Sequence, residues 1–559
     1  MRISTFSFFP LTIKCLFFAL ALVLSLGAVA QPTAPTWQSA VALDGLSANV
    51  SSAAFDASGN LYISRRFSGT LSLSGTTYTS NNGSADVVVL KYAPNGTLQW
   101  ARLIDSPGND EVTDLALDAA GNVYVTGIFT GSVTLAPNIS LTWNGHTNGQ
   151  CFIACFSTQG IPQWVQQSTD FARASRLAVH SNGQLSFVGA FFISQSLTIG
   201  GMSLSSNADA TAYIGRMSAA TGAMQSLAQL FSYTAIGSSP LTITYPRLAL
   251  SPNGDAYVSI AFPPVTTLDF PNFRPVARGN YDLVVAKYNP QNGFEWAQSI
   301  GGAGNDYDAG LAIDASGSLY MVGNYDAPAT FGTATVLAHT GGTDAYLAKY
   351  SPQGGLQWAE RMGGSGDDVW RGVALDGTGT VYTMGSFSTT VQFGPSTLTS
   401  AGNTDVAVAS YSPAGQFRWV QQAGGPGSES AATLGFEANG GAYVRGQFSS
   451  TCTFNSTVLS TPLAAENFIA RLGSLPLSRR APVATAMAIY PNPASAWVSL
   501  PALPAQTRVH LIDAQGRVAR TSVVSGSAHV SVLGLVPGLY TLRVIDVQGR
   551  QYTGRVMVK

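Results

Sequence analysis

Six tryptophans recur at nearly regular intervals through the first three quarters of this 559-residue chain. The one double interval marks a copy in which the tryptophan is lost. Short β-branched and aromatic runs between Gly, Asn, Asp and Ser turns fill each interval, a content typical of four strands that form one blade of a ring. The tryptophans are Trp37, Trp100, Trp164, Trp296, Trp358 and Trp419, separated by 63, 64, 132, 62 and 61 residues.

Two further landmarks give the number of copies. A pattern G-x-x-Y-x-x-G-x-F occurs seven times, ending at Phe67, Phe129, Phe191, Phe262, Tyr325, Phe387 and Phe448. The preceding strand carries a small residue at Ala54, Ala116, Ala178, Ala249, Ala312, Ala374 and Gly435. Small side chains fit where neighbouring sheets converge on an axis. The sequence therefore predicts an all-β fold, with a seven-bladed β-propeller over 37–472 and these residues on its innermost strands.

The two ends of the repeat region are out of phase in a way that predicts closure of the ring. The chain enters with an outer strand alone, TWQSAVAL, which includes Trp37. The last repeat ends at NFIARL and lacks an outer strand of its own. We therefore expect the N-terminal strand to complete the seventh blade through backbone hydrogen bonds.

The first 30 residues have the pattern of a signal peptide. Two basic residues precede an apolar run over 15–28, and Ala28-Val29-Ala30 supplies the small residues for cleavage before Gln31. The run is shorter than the ~20 residues that a membrane span needs. We expect an exported protein with no transmembrane span once the signal is removed.

Charge and cysteine content narrow the function classes. Charged residues make up 10% of the chain and the net charge is −1, which speaks against a nucleic-acid partner. Cys151 and Cys155 would lie about 13 Å apart along a strand, too far for a disulfide. Cys452 belongs to a copy that is not adjacent to theirs, so no disulfide is predicted.

Parts of the repeats resemble a known family. The segments DAAGNVYVTG, DLVVAKY and WAQSIGGAGND are similar to the SBBP-type β-propeller repeat of secreted bacterial proteins. The resemblance covers about Trp37–Leu472 and implies a propeller without a common reaction. It is weakest in the third and fourth copies, where MQSLAQL replaces the tryptophan strand and the connections are long or irregular.

The last part of the chain differs in composition. After a linker over 473–486, short alternating strands with Pro and Gly turns predict a small Ig-like β-sandwich at 487–559. This region resembles the type A C-terminal sorting domain of the type IX secretion system. The resemblance implies recognition by that machinery and delivery to the cell surface or the medium of a Gram-negative bacterium. A plain adhesive Ig-like domain is the alternative. The matching residues are Tyr490, Pro491, Asn492, Pro493, Gly516, Gly538, Tyr540 and Lys559.

A carboxylate stands ten residues after the tryptophan in four copies. If these loops open on one face, the carboxylates form a partial crown that suits calcium or a polyhydroxyl ligand. Alternatively, each side chain caps its own Gly-rich turn through backbone N–H groups. The four residues are Asp110, Asp306, Asp368 and Glu429.

A second candidate set lies four or six residues before the acid of each tight turn. Arg176, Arg247, Asp308 and Trp370 occupy these positions and would face the axis, where they could grip a sugar or a peptide. Alternatively, the charged members form ion pairs between blades that contribute little. The irregular third and fourth copies are where a ligand is expected, because insertions in repeat proteins gather on the binding face.

Catalysis has little support in the sequence. No G-x-S-x-G motif and no His-rich metal motif occur, so neither catalytic residues nor a cofactor are predicted. The favoured function is binding of a glycan or protein at the cell surface or outside the cell. The alternatives are an enzyme that uses carboxylates at the ring's mouth on polysaccharide, and a passive structural envelope protein.

Overall fold

The computed structural model describes residues 32–43, 50–146, 148–192, 196–235, 244–332, 335–437, 440–473, 485–487, 489–513, 517–545 and 551–559. The predicted signal peptide and most of the predicted linker lie outside these residues. The described part is built almost entirely from β-strands. Its strands fall into a large N-terminal ring and a smaller C-terminal module.

Seven antiparallel sheets make up the ring in the described part of the chain; six contain four successive strands, and the seventh contains three successive strands and one from the N-terminal side. We number them sheets 1 to 7 in chain order. The first strands are Val50–Phe55, Glu111–Leu117, Ala172–Val179, Arg247–Leu250, Asp306–Ile313, Asp368–Leu375 and Ser430–Phe436. The second strands are Leu61–Ser68, Val123–Phe129, Gln184–Phe192, Ala256–Phe262, Leu319–Tyr325, Val381–Phe387 and Ala442–Phe448. The third strands are Ala85–Tyr92, Gln150–Phe156, Ala210–Ser218, Asp282–Asn289, Asp344–Tyr350, Asp405–Tyr411 and Glu466–Leu472. The fourth strands of sheets 1 to 6 are Leu98–Ile104, Pro162–Gln167, Met224–Ala235, Gly293–Gly302, Leu356–Gly364 and Phe417–Ala423.

The first strands lie at the centre of the ring. Each contacts the first strand of the next sheet, and the first strand of sheet 7 contacts that of sheet 1, so the contacts form a cycle. The small residues of the sequence pattern lie on these strands, as predicted. A Cβ at Gly435 would collide with Phe55 of the neighbouring sheet, which shows how little space the convergence leaves. A separate apolar cluster fills each junction between sheets.

The fourth strand of sheet 7 comes from the N-terminal side of the chain, as the sequence predicted. Trp37–Ala42 pairs antiparallel with Glu466–Leu472. The Trp37 ring packs edge-on against Phe454, with centroids 5.2 Å apart, and its Nε1 donates to the Gln422 carbonyl at 2.8 Å. The two ends of the ring are therefore joined without a covalent bond.

Four of the repeated tryptophans join one sheet to the next. The indole Nε1 of Trp100 donates to the Thr158 carbonyl at 3.0 Å, and that of Trp296 donates to the Pro352 carbonyl at 2.9 Å. The acceptor turn carries a glycine with positive φ, and at Gly160 a Cβ would collide with the Trp100 ring. Their recurrence therefore reflects packing between sheets.

Most connections between second and third strands form a short outer hairpin. These pairs are Thr70–Leu73 with Thr76–Thr79, Val133–Ala136 with Ile139–Leu141, Ser196–Ile199 with Met202–Ser205, Ala329–Phe331 with Thr335–Leu337, Thr390–Phe393 with Ser396–Thr399, and Thr451–Phe454 with Thr457–Ser460. Sheet 4 differs, because its single strand Thr266–Asp269 pairs with the fourth strand of sheet 3. A 3-10 turn, Asn81–Gly83, lies in sheet 1's connection.

The C-terminal module contains one five-stranded sheet among its described residues. Its apolar core draws only on residues of this module, from Met487 to Val558. The first strand lies within the predicted linker and pairs in parallel with the last. The strands are Thr485–Ala486, Trp497–Ile512, Val518–Ser531, Gly538–Ile545 and Gln551–Val558.

Candidate functional site

Three adjoining hollows open at the end of the ring where the first strands begin. Their volumes are about 520, 440 and 430 Å³. Glu111 borders all three, which makes them one continuous depression across sheets 1 to 5. We call it the mouth groove. Its main side chains are Arg66, Asp110, Glu111, Phe171, Arg173, Arg176, Phe192, Tyr245, Arg247, Tyr307 and Asp308.

Ion pairs between neighbouring sheets run along the mouth groove. Arg173 of sheet 3 pairs with Glu111 of sheet 2, and its guanidinium lies 5.1 Å from the centre of the Tyr245 ring. Arg247 of sheet 4 pairs with Asp308 of sheet 5 at 3.1 Å. The predicted candidates Arg247 and Asp308 therefore do meet, and each pair offers a ligand both donors and acceptors.

Arg176 also borders the groove and is partly buried. Burial lowers the pKa of Arg176, and the nearby carboxylate of Asp114 opposes that shift. Asp114 itself accepts hydrogen bonds from the Ser52 hydroxyl and the Leu177 N–H, and burial raises its pKa. These residues support the groove from below.

Aromatic rings line the groove in two places. Phe171 and Phe192 stack with their centroids 5.3 Å apart. Tyr307 is 40% exposed and packs against Tyr281 with centroids 5.4 Å apart. Tyr245 belongs to the long connection between sheets 3 and 4, in the region where the sequence predicted a binding face.

The structure does not bring Trp370 into the groove. Its side chain is fully buried and packs against Phe393 with centroids 5.4 Å apart. Its backbone N–H donates to the Asn324 side chain of sheet 5 at 2.7 Å. Trp370 therefore fills a junction between sheets.

The four loop carboxylates are buried, and each accepts a hydrogen bond from the backbone N–H four residues earlier. The donors are Ser106, Gly302, Gly364 and Gly425, and the acceptors are Asp110, Asp306, Asp368 and Glu429, at 2.6–2.9 Å. This placement favours the turn-capping interpretation. Among the four, Asp110 borders the mouth groove; a ligand-binding role for these residues stays a prediction.

Each loop carboxylate interacts with a second buried acid 24 residues earlier, at the start of a third strand. The pairs are Asp86 with Asp110, Asp282 with Asp306, Asp344 with Asp368, and Asp405 with Glu429. A Cβ at Gly301 would touch both Asp282 and Asp306, so little separates that pair. One oxygen each of Asp282, Asp368, Asp405 and Glu429 has no hydrogen-bond partner among the described residues. Sequence reasoning missed these pairs, although their constant spacing was visible.

Burial and the neighbouring acid make these carboxyl groups sensitive to pH. Burial is the main cause that raises the pKa of Asp110, Asp306, Asp368 and Glu429 to about 7. In the unfolded chain, carboxyl pKa values lie near 4. Between pH 4 and 7 the folded protein therefore holds protons that the unfolded chain has lost, and these groups make stability fall as pH rises.

We expect Asp368→Asn to flatten this pH dependence, because the neutral amide mimics the protonated carboxyl. One unit of pKa difference is worth about 1.4 kcal/mol, or roughly 1.5 °C in Tm for a ring of this length. Thermal unfolding between pH 4 and 8 should show Tm of the parent falling by at least that much relative to the variant. Asp170→Asn, which removes a carboxylate outside the pairs, should follow the parent. Parallel curves for parent and Asp368→Asn would contradict the prediction.

Within the described ranges, no group of three or more His, Cys, Asp or Glu side chains is placed to hold a metal ion. Calcium binding therefore gains no support here, and the expectation that the chain needs no cofactor stays a prediction. Cys151, Cys155 and Cys452 are buried free thiols. No helix in the described part is long and apolar enough to cross a membrane.

Three of the predicted sorting residues form hydrogen bonds within the C-terminal module. The side-chain amide of Asn492 bonds to the Arg555 carbonyl and accepts from the Met557 N–H, both at 2.9 Å. The Tyr540 hydroxyl donates to the Val536 carbonyl at 2.8 Å. The N–H of Lys559 donates to the Ala494 carbonyl at 2.9 Å, which ties the end of the last strand to the residues after the YPNP motif.

The other sorting residues differ in exposure and setting. Tyr490 is 61% exposed and begins the segment that contains Pro491 and Pro493. Gly538 begins the fourth strand of the module. Gly516 lies outside the described residues. Asn492 and Tyr540 thus form hydrogen bonds within the module, whereas the side chain of Tyr490 is exposed at its surface.

Comparison with known proteins assigns the C-terminal module. Residues 488–559 match the family described as secretion system C-terminal sorting domain, which confirms the type IX sorting domain predicted from the motifs. Such a domain implies interaction with the type IX machinery and indicates secretion or surface localisation. The SBBP repeat type and the signal peptide stay predictions.

The ring has more distant likenesses. An uncharacterized WD repeat-containing protein of Acanthamoeba polyphaga mimivirus is 21% identical over 400 residues, which cover 64% of this chain and 26% of that relative. The match thus spans about a quarter of the relative's length.

Two solved structures are also similar. A chain of the mitotic checkpoint complex has a TM-score of 0.39 and 10% identity, covering 82% of this chain and 99% of that one. PorZ, a surface component of the type-IX secretion system of Porphyromonas gingivalis, has a TM-score of 0.22 and 11% identity, covering 91% and 81%. Because these TM-scores and identities are low, the assignment of the fold rests on the strand pairing described above and not on these similarities.

Proposed function

We propose that this chain is an exported, seven-bladed β-propeller that binds a glycan in its mouth groove outside the outer membrane of a Gram-negative bacterium. In this proposal, residues 1–30 direct export across the inner membrane, 37–472 form the propeller, 473–486 link it, and 487–559 address it to the type IX machinery. The observation that carries the binding role is the mouth groove itself, a depression lined by paired charges and partly exposed aromatic rings.

The chemistry of the groove fits a sugar. Sugar hydroxyl groups both donate and accept hydrogen bonds, and the Arg173–Glu111 and Arg247–Asp308 pairs offer both kinds of partner. Sugar rings also have apolar C–H faces, which pack well on flat aromatic side chains such as Tyr307. The volume of each hollow lies in the range usual for small-molecule sites. A protein ligand would be anchored more often by apolar side chains in deep pockets.

Binding fits the groove better than hydrolysis does. A glycosidase needs one protonated carboxyl group as the acid and a second carboxylate as base or nucleophile. Glu111 and Asp308, the carboxylates that enter the groove in ion pairs, each face an arginine. Both carboxylates are therefore already engaged by a cation, and Asp110, the third acid at the groove, is held by the backbone N–H and the hydroxyl of Ser106.

Substitution of Tyr307 tests the proposal. The purified full-length chain is screened on a glycan array, and the best ligand is then titrated against Tyr307→Ala. We expect binding to weaken about fivefold to tenfold, because an aromatic contact is lost. Trp143→Ala, which removes an exposed aromatic ring outside the groove, should leave affinity unchanged. Absence of binding to every glycan, or an equal loss in both variants, would contradict the proposal.

A further inference from the structure

The arginines of the mouth groove are not equivalent. Arg173 and Arg247 are held by Glu111 and Asp308, and the partly buried Arg176 lies beside Asp114. Arg66, on the second strand of sheet 1, is exposed, and no hydrogen bond or ion pair joins its side chain to another described residue. Arg66 is thus the groove arginine whose five N–H donors are all open to a ligand.

Arg66 also stands at the meeting point of two hollows. It borders both the largest hollow, of about 520 Å³, and the hollow of about 430 Å³. Arg173 borders the largest hollow as well, from sheet 3, and the stacked Phe171 and Phe192 lie beside it. A bound sugar in this hollow would therefore meet an open guanidinium and an aromatic surface together.

The charge of the groove is complementary to an anion. Four arginines line it, whereas Glu111 and Asp308 are each taken up by one of them. The third acid, Asp110, is buried and turned to the backbone N–H and hydroxyl of Ser106. The planar fork of arginine matches the two oxygens of a carboxylate or a sulfate. Because Arg173, Arg247 and Arg176 each face an acid, the charge that attracts such a ligand is that of Arg66.

We propose that the glycan taken by the mouth groove is acidic, with an oxyanion group bound by Arg66 and its sugar ring packed beside Phe171 and Phe192. This inference rests on the proposed glycan-binding function and adds the class of glycan. The oxyanion is a carboxylate of a uronic acid or a sulfate ester, both of which present oxygens that the guanidinium fork can bind in pairs.

Matched pairs of polysaccharides test the inference in titrations with the full-length chain. Polygalacturonate is compared with its fully methyl-esterified form, and dextran sulfate with dextran. In at least one pair we expect the charged member to bind about tenfold more tightly than the uncharged one, and more weakly as salt rises. The pair that responds identifies the oxyanion as carboxylate or sulfate.

Substitution at Arg66 links the effect to this residue. Arg66→Gln should weaken binding of the charged polysaccharide about tenfold, whereas Arg274→Gln, at an exposed arginine outside the groove, should change it less than twofold. Equal losses in the two variants would show non-specific charge attraction and overturn the inference. Equal or tighter binding of the uncharged polysaccharides would overturn it while leaving the glycan-binding function intact. Failure of every charged and uncharged glycan to bind would overturn both.

Discussion

A chain that lacks Met487–Lys559 will stay behind the outer membrane, while the intact chain will reach the cell surface or the medium. Residues 488–559 carry the sorting domain, and among the described residues the apolar core of this module contains none from the ring. Deletion therefore removes the sorting domain and leaves the packing between the seven sheets in place. The measurement is fractionation of a strain that has the type IX machinery, together with cleavage by protease added to whole cells.

Two controls keep this result specific to sorting. The truncated chain, purified from the periplasmic fraction, should unfold at nearly the Tm of the ring in the intact protein. Tyr540→Phe should reach the surface like the parent, because it keeps the buried ring and loses a single hydrogen bond. Surface exposure of the truncated chain at the level of the intact one would show that export does not depend on the sorting domain.

Removal of Trp37–Leu43 will destabilise the ring more than any single substitution on its surface. The deletion removes one of the two strands paired with Glu466–Leu472, withdraws Trp37 from Phe454, and removes the fully buried Leu43. An outer strand of sheet 7 then becomes an exposed edge that favours aggregation. We expect a fall in Tm of more than about 10 °C, or an insoluble product, in thermal unfolding and sedimentation measurements.

A point variant covers the case in which the deletion does not fold. Trp37→Ala keeps the backbone ladder and removes the side chain that is 5% exposed. Truncation of a buried aromatic side chain costs about 3–5 kcal/mol, whereas Trp143→Ala, at a 39% exposed ring, should cost less than about 0.5 kcal/mol. An unchanged Tm in Trp37→Ala would contradict closure of the ring by the N-terminal strand.

Closure by the N-terminal strand also explains a break in the tryptophan pattern. In sheets 1, 2, 4 and 5 the indole N–H donates to a carbonyl in the turn before the fourth strand of the next sheet. Trp419 of sheet 6 has no such turn ahead of it, because the fourth strand of sheet 7 arrives from the other end of the chain. Its Nε1 is buried without a partner among the described residues.

The repeat pattern was sufficient to predict the sheets of the ring. A copy of about 62 residues encodes the same turns and the same inward small residue each time, so local spacing determines local structure without knowledge of the neighbours. Closure of the ring could also be predicted from the sequence, since Trp37 begins a strand that the last copy lacks. The sorting domain was predicted from motifs that lie in order along one short module.

The burial and the partners of the loop acids could not be predicted from the sequence in the same way. A carboxylate ten residues after a tryptophan has the same pattern whether it points to solvent or into a turn. Its pKa also depends on the acid 24 residues earlier, such as Asp405 for Glu429, which adds to the effect of burial and raises that pKa further. Trp370 and Asp308 hold equivalent positions, yet Asp308 meets Arg247 and Trp370 meets Phe393.

By itself, the sequence determined the class of fold, the closing strand and the sorting domain, because each depends on residues close together in the chain or on a pattern repeated along it. Only the tertiary structure decided where a ligand could bind. The mouth groove draws its side chains from five sheets, and the exposure of Arg66 follows from which acids its neighbours have already engaged. Such contacts are set by the geometry of the ring, which no single repeat contains.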